Sequence, residues 1–171
     1  MTPNMSSRSD AEQTSDIAVS QSLLMPIAFL SSHLTFIRSV LPQSTLTTLY
    51  RRIASRLAEH ILQRRILYRG EFSLQQGKVI TAECELWSET SNVALAGRLN
   101  GGRHRVEMPW LRLLQAGRLV GLEGADWDSV KMAVLRDMSD EDWTQLMVKI
   151  VGISELDKEE VCKAIQRRED H

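Results

Sequence analysis

The residues that could carry out nucleophilic, acid–base or metal chemistry are few and scattered along the 171-residue sequence. They are His33, His60, His104, His171, Cys84 and Cys162. No two of the histidines have the spacing of an HExxH metal motif, and the sequence contains no P-loop, no dinucleotide-binding glycine fingerprint and no GxSxG turn. A nucleophile, a base and an oxyanion-binding group therefore cannot be assembled into one site. We predict that the protein is not an enzyme and has no metal site and no cofactor.

One stretch concentrates charge that could bind a ligand. Six arginines and a single glutamate, Glu59, lie between positions 51 and 69, although the chain has a net charge of −1. The six are Arg51, Arg52, Arg56, Arg64, Arg65 and Arg69. Such an arginine strip can bind acidic partners, phosphoinositide head groups or nucleic acid. The structural alternative, which we favour, is that the strip pairs with acids further along the chain, namely Glu83, Glu85 and Glu89.

Arg64 gives the sharpest form of this alternative. On a helical wheel it falls near the middle of the apolar face that Leu46 and Ile53 define. An unpaired charge on a buried face costs several kcal/mol, so Arg64 should find an acid, and Glu83 is our choice. Exposure of Arg64 without an acid in reach would show this prediction to be wrong.

The elements that position these residues are predicted to be helices. Apolar residues make up 43% of the sequence, while glycine and proline number only nine and four. A β-sandwich or barrel needs frequent turns, so this composition is unlike that of either fold. Apolar residues recur at helical spacing over about 18–40, 44–68, 73–95 and 106–120, and three shorter helices follow, with Asp126, Ser139 and Ser154 as their caps. Ser44 or Thr45 should cap the second helix, and Ser73 with Gln76 should form a capping box at the third. We predict an all-α helical bundle of about six to seven helices.

This bundle should form a single domain over residues 17–171, preceded by a disordered tail over 1–16, which is too polar to pack. Residues 17–37 contain no Asp, Glu, Lys or Arg and are long enough to span a bilayer. Clustered polar residues and Pro26 favour instead a helix buried against protein neighbours. The two cysteines form no disulfide framework, which is typical of a reducing compartment.

Three blocks of sequence resemble one known family in their order and spacing. They are LYRRIASRLAEHILQRRILYRG (49–70), FSLQQGKVITAECELWSE (72–89) and RVEMPWLRLLQAGRLVGLEG (105–124). Together they resemble the extreme C-terminal region of the RINT/Tip family, in its filamentous-fungal form. These proteins are subunits of an endoplasmic-reticulum tethering complex, called NRZ in animals and Dsl in yeast. The resemblance covers roughly residues 23–168 and is carried by helical blocks rather than by catalytic residues.

The resemblance implies a function in binding. Family members are rod-shaped tethers built from consecutive helical bundles, which capture vesicles in Golgi-to-endoplasmic-reticulum retrograde transport. The implied partners are other tethering-complex subunits and endoplasmic-reticulum SNAREs. The implied location is cytoplasmic, peripheral on the endoplasmic-reticulum membrane and without a transmembrane helix. The alternative function is a helical module that binds acidic lipid or nucleic acid through the arginine strip.

Length is the main departure from the family, whose members have several hundred residues. We therefore expect either a fragment or a shortened paralogue that retains only the last bundle. A fragment would lack the helices that normally precede this bundle. The first predicted helix and the first half of the second should then expose apolar surface that those helices would cover.

Overall fold

The computed structural model describes residues 19–136 and 138–169, apart from the side chain of Ile150. The predicted tail over 1–16 lies outside the described residues. The α-helices are α1 (Leu24–Val40), α2 (Gln43–Leu62), α3 (Leu74–Leu95), α4 (Gly102–Glu107), α5 (Leu111–Val120), α6 (Gly124–Leu135), α7 (Asp140–Thr144) and α8 (Lys158–Gln166). Short segments of 3₁₀-helix (Gln21–Leu23, Met108–Trp110) and π-helix (Gln63–Leu67, Gln145–Val151) extend or join them. Counted as continuous helical runs, the described residues form seven helices, which confirms the predicted all-α bundle.

Helix α3 lies at the centre of the bundle. It packs against α1 on one side and α5 on another, while α2 contacts α1, α5 and the Met108–Trp110 turn. A capping box begins α3: the Ser73 hydroxyl accepts from the Gln76 backbone, and the Gln76 side chain accepts from the Ser73 backbone. This start was predicted, and the large side chains of α3, Ile80 and Trp87, are buried as expected.

Glycines allow α3 and α5 to approach closely. A Cβ added to Gly77 of α3 would lie 2.1 Å from the backbone oxygen of Val120, at the end of α5. A Cβ on Gly121 would lie 2.3 Å from the Thr81 hydroxyl oxygen. That hydroxyl donates a 2.7 Å hydrogen bond to the Gly117 carbonyl, so the two helices are also tied by a polar contact. The crossing leaves no room for side chains at these glycines.

The C-terminal segment closes the far end of the bundle. The Phe72 amide donates to the Arg167 carbonyl at 2.8 Å, and the Glu169 amide donates back to Phe72 at 3.0 Å. Arg168 is buried, with its guanidinium 3.7 Å from the centre of the Trp127 ring. It also donates to the carbonyl of Val120, which ends α5. A single arginine thus joins the ends of α5 and α8 to α6.

The predicted caps are correct at some helices and wrong at others. Ser139 caps α7, as predicted, by accepting from the Asp142 amide. The N-cap of α2 is Pro42 rather than Ser44 or Thr45, because the proline backbone (φ −58°) leads directly into the helix at the next residue. Pro26 does not interrupt α1, since it lies in the first turn. Backbone N–H groups there have no α-helical partner, so the N–H that proline lacks is not needed.

Two further predicted caps were displaced along the chain. Helix α6 begins at Gly124, so Asp126 lies within its first turn, where its charge complements the helix dipole. The predicted cap Ser154 lies in the loop before α8, where its amide donates to Gln115 at 2.8 Å. Asp157 caps α8 instead, in a capping box with Glu160.

Candidate functional site: an apolar face on α1 and a basic groove beside α2

The six arginines of the strip differ in their exposure and in their ion pairing. Arg51, Arg52, Arg56 and Arg64 are exposed, whereas Arg65 and Arg69 are half-buried. Within the described residues only Arg65 forms an ion pair, with Glu83 of α3. The predicted pairing of the strip with α3 therefore holds for one arginine, and the strip divides into separate parts.

The predicted Arg64–Glu83 ion pair is wrong, because Arg64 is exposed and its neighbour Arg65 takes the acid. The cause is the choice of helical face: α2 buries Tyr50, Ala54 and Ala58, while Ile53, which defined the predicted apolar face, is 37% exposed. Residues seven positions apart share one face of an α-helix. Arg65 lies seven residues after Ala58 and so shares the buried face, whereas Arg64 lies seven residues after Leu57, on the side of Ile53.

Three of the exposed arginines line a groove on the outer side of α2. Arg51, Arg52 and Arg56 face Arg105 of α4 across an open groove of about 510 Å³. The remaining lining residues carry hydroxyl groups: Thr47, Thr48 and Ser55. The lining includes no carboxylate and no aromatic ring. We call this feature the basic groove, defined by Arg51, Arg52, Arg56 and Arg105.

Tyr50 positions Arg105 in the basic groove. Its buried hydroxyl donates to the Val106 carbonyl at 2.6 Å and accepts from the Trp110 indole nitrogen at 2.9 Å. These two bonds hold α4 and the following turn against α2, and Arg105 directly precedes Val106. Burial raises the pKa of the Tyr50 hydroxyl to about 12, so it stays protonated, and able to donate, well above pH 10.

Nearby acids are occupied by other arginines. Glu59 pairs with Arg112 of α5 at 2.9 Å. Glu89 and Glu107 both pair with Arg103, which lies at the start of α4. The four arginines of the basic groove have no ion pair among the residues the structure describes, so their charge is concentrated on a nearly neutral chain.

The second feature is an apolar face on α1. Leu30 (7% exposed) and Leu34 (1%) pack into the bundle, while Met25 (79%), Phe29 (66%) and Phe36 (64%) lie on the opposite side. Val40 lies on the same side, because positions 25, 29, 36 and 40 share one helical face. We call Met25, Phe29, Phe36 and Val40 the apolar face of α1.

The exposure predicted for the first two helices is confirmed, since Leu49 and Ile53 in the first half of α2 are also partly exposed. The interpretation of the first helix as buried is wrong within residues 19–136 and 138–169, which cover only one side of α1. The segment Gln21–Val40 has a mean hydropathy of 1.4 over its most apolar window and 11% of that window is buried. By length and composition alone it could cross a membrane.

The described residues considered for catalysis lie on different helices, such as His33 on α1 and His60 on α2, and His171 lies outside the described residues. Cys84 is buried between α3 and α5, where its sulfur lies 2.9 Å from the position a Cβ would take on Gly117. Burial raises the pKa of the Cys84 thiol to about 12, which makes a thiolate nucleophile inaccessible at neutral pH. Within residues 19–136 and 138–169, no three His, Cys, Asp or Glu residues are grouped as metal ligands.

The comparisons with protein-family models, curated proteins and solved structures found no match for this chain. The functional proposals therefore rest on the geometry and on the resemblance of the three sequence blocks. The site residues predicted from the sequence did not include Arg105. The pattern that could have indicated it is the basic run Arg103-His104-Arg105, just before the Pro109-Trp110 block.

Proposed function

We propose that this protein is a non-enzymatic helical bundle that acts by binding other proteins. The observation that carries the proposal is the apolar face of α1, which the described residues leave exposed beside a well-packed core. Exposed apolar surface of this kind is typical of protein interaction sites. Its aromatic and methionine side chains are also the types enriched at interface cores.

Burial of the apolar face of α1 would supply only part of the free energy that a stable complex needs. Fully burying a large apolar side chain contributes about 1.5–3 kcal/mol, and these four are already partly covered. Covering the rest of the face would then contribute roughly 4–8 kcal/mol before the costs of association. Those costs are of similar size, so a partner must also contact other surfaces, such as Leu49 and Ile53 of α2.

We propose further that the partner belongs to a tethering complex in Golgi-to-endoplasmic-reticulum retrograde vesicle transport. The support is the resemblance to the RINT/Tip family, whose three blocks correspond to α2, α3 and the run from α4 to the end of α5. In this proposal the apolar face of α1 packs against a helix of another tether subunit or bundle. The chain then sits on the cytoplasmic side of the endoplasmic reticulum and is held there through its partners.

Co-purification from cells tests this proposal. The tagged chain should recover other tether subunits or endoplasmic-reticulum SNAREs, identified by mass spectrometry. A variant with Phe29→Glu and Phe36→Glu should lose them, because it places two charges on the apolar face of α1. The matched control is Val93→Glu with Leu135→Glu, which changes equally exposed apolar residues elsewhere. Recovery of none of these partners by a stably folded chain would contradict the proposal.

A further inference from the structure

The basic groove is a second surface that the tethering proposal does not use. Four guanidinium groups line one concavity, and the acids that could neutralise them are paired elsewhere, with Arg103 and Arg112. Gathering like charges at a surface costs free energy through mutual repulsion. An anion bound between them would remove that cost.

We propose that the basic groove binds the phosphate groups of a polyphosphorylated small molecule or lipid head group. The arginine fork presents paired N–H donors whose geometry matches phosphate oxygens, and several such groups converge here. The Ser55 hydroxyl on the same side of α2 adds a neutral donor. The concave shape suits a compact ligand that carries several phosphates close together.

The lining selects this class over other anions. A single-stranded nucleic acid is held largely by stacking of bases on aromatic rings, and no aromatic ring lines the groove. The lining also lacks apolar side chains that would anchor the hydrophobic residues of an acidic peptide. The net charge of −1 further disfavours a long polyanion, which would meet repulsion away from the groove.

Direct binding of two probes to the full chain tests the proposal. One is inositol hexakisphosphate in solution, measured by calorimetry. The other is phosphatidylcholine vesicles with and without a bisphosphorylated phosphoinositide, measured by co-sedimentation. The groove variant is Arg52→Glu with Arg105→Glu. The matched control is Arg64→Glu with Arg69→Glu, which makes the same charge change in the arginine strip but outside the groove.

We expect wild type and control to bind the soluble probe alike, and the groove variant to bind at least about tenfold more weakly. Affinity should fall as salt is raised from about 0.05 to 0.2 M, since the arginines are exposed. Binding to both probes supports a lipid head group, and binding to the soluble probe alone supports a free ligand. Thermal unfolding of each variant shows whether it is folded.

Three results would overturn the proposal. The first is no binding of either phosphate probe at low salt. The second is equal loss in the groove variant and the control, which would reflect net charge rather than the groove. The third, with an oligonucleotide and an acidic peptide as comparison ligands in the same calorimetric assay, is binding of one of these and of neither phosphate probe. The proposal is independent of tethering, because the groove variant leaves the apolar face of α1 intact.

Discussion

Replacing Tyr50 with phenylalanine should destabilise the fold through the groups it leaves behind. The change removes one oxygen from a buried site, where that oxygen donates to the Val106 carbonyl and accepts from the Trp110 indole. Both partners are buried, and an unsatisfied buried polar group costs about 1–3 kcal/mol. We therefore expect Tyr50→Phe to lower the free energy of unfolding by roughly 2–4 kcal/mol. For a chain of this length, that corresponds to a loss of roughly 5–15 °C in melting temperature.

Urea denaturation followed by circular dichroism measures this effect. The matched control is Tyr68→Phe, which makes the same chemical change at a side chain that is 63% exposed. We expect the control to stay within about 0.5 kcal/mol of wild type. Equal stability of Tyr50→Phe and wild type would refute the reasoning, because it would mean that the two buried partners lose nothing when the hydroxyl is removed.

Three other changes test separate parts of the structure. Gly77→Ala should destabilise by about 1–3 kcal/mol in urea denaturation because its Cβ would strike the end of α5, whereas Gly70→Ala, with open space around it, should be neutral. Arg65→Met should lower the free energy of unfolding by about 1–3 kcal/mol, because it leaves the Glu83 carboxylate buried without its cation. Arg64→Met should have little effect. Equal losses in the two variants would contradict the Arg65–Glu83 pairing. The raised pKa of Tyr50, about 12, means that the folded state holds this proton more tightly than the unfolded state does. The stability advantage of wild type over Tyr50→Phe should therefore be constant below pH 10 and shrink as pH rises from 10 towards 12, and a constant advantage would contradict this.

Helix positions could be predicted because local signals and burial agree along most of the chain. The capping box at Ser73 and the cap at Ser139 mark helix starts through bonds made within four residues. The cap predicted at Ser154 was wrong because the side chain of a distant residue, Gln115, accepts from the Ser154 amide. Nothing in the neighbouring sequence indicated that Arg168 is buried, because the ring and the carbonyl that it contacts belong to α6 and α5.

The candidate site was predictable only in part. The sequence shows that arginines cluster after position 50, yet it cannot show which of them share a groove. That depends on which side of α2 faces the core, and on Tyr50, which brings α4 and Arg105 against α2. The exposed face of α1 was expected from the family resemblance, whereas the apolar composition alone indicated a buried helix.

Binding of the purified chain to purified tether subunits tests the central claim most directly. We predict a complex whose affinity falls at least about tenfold for Phe29→Glu with Phe36→Glu, since two buried interface side chains would become charged. The control Val93→Glu with Leu135→Glu should bind as wild type does. Absence of a complex with folded wild-type chain, or equal binding by all three, would contradict the claim that the apolar face of α1 is a docking surface for a tether partner.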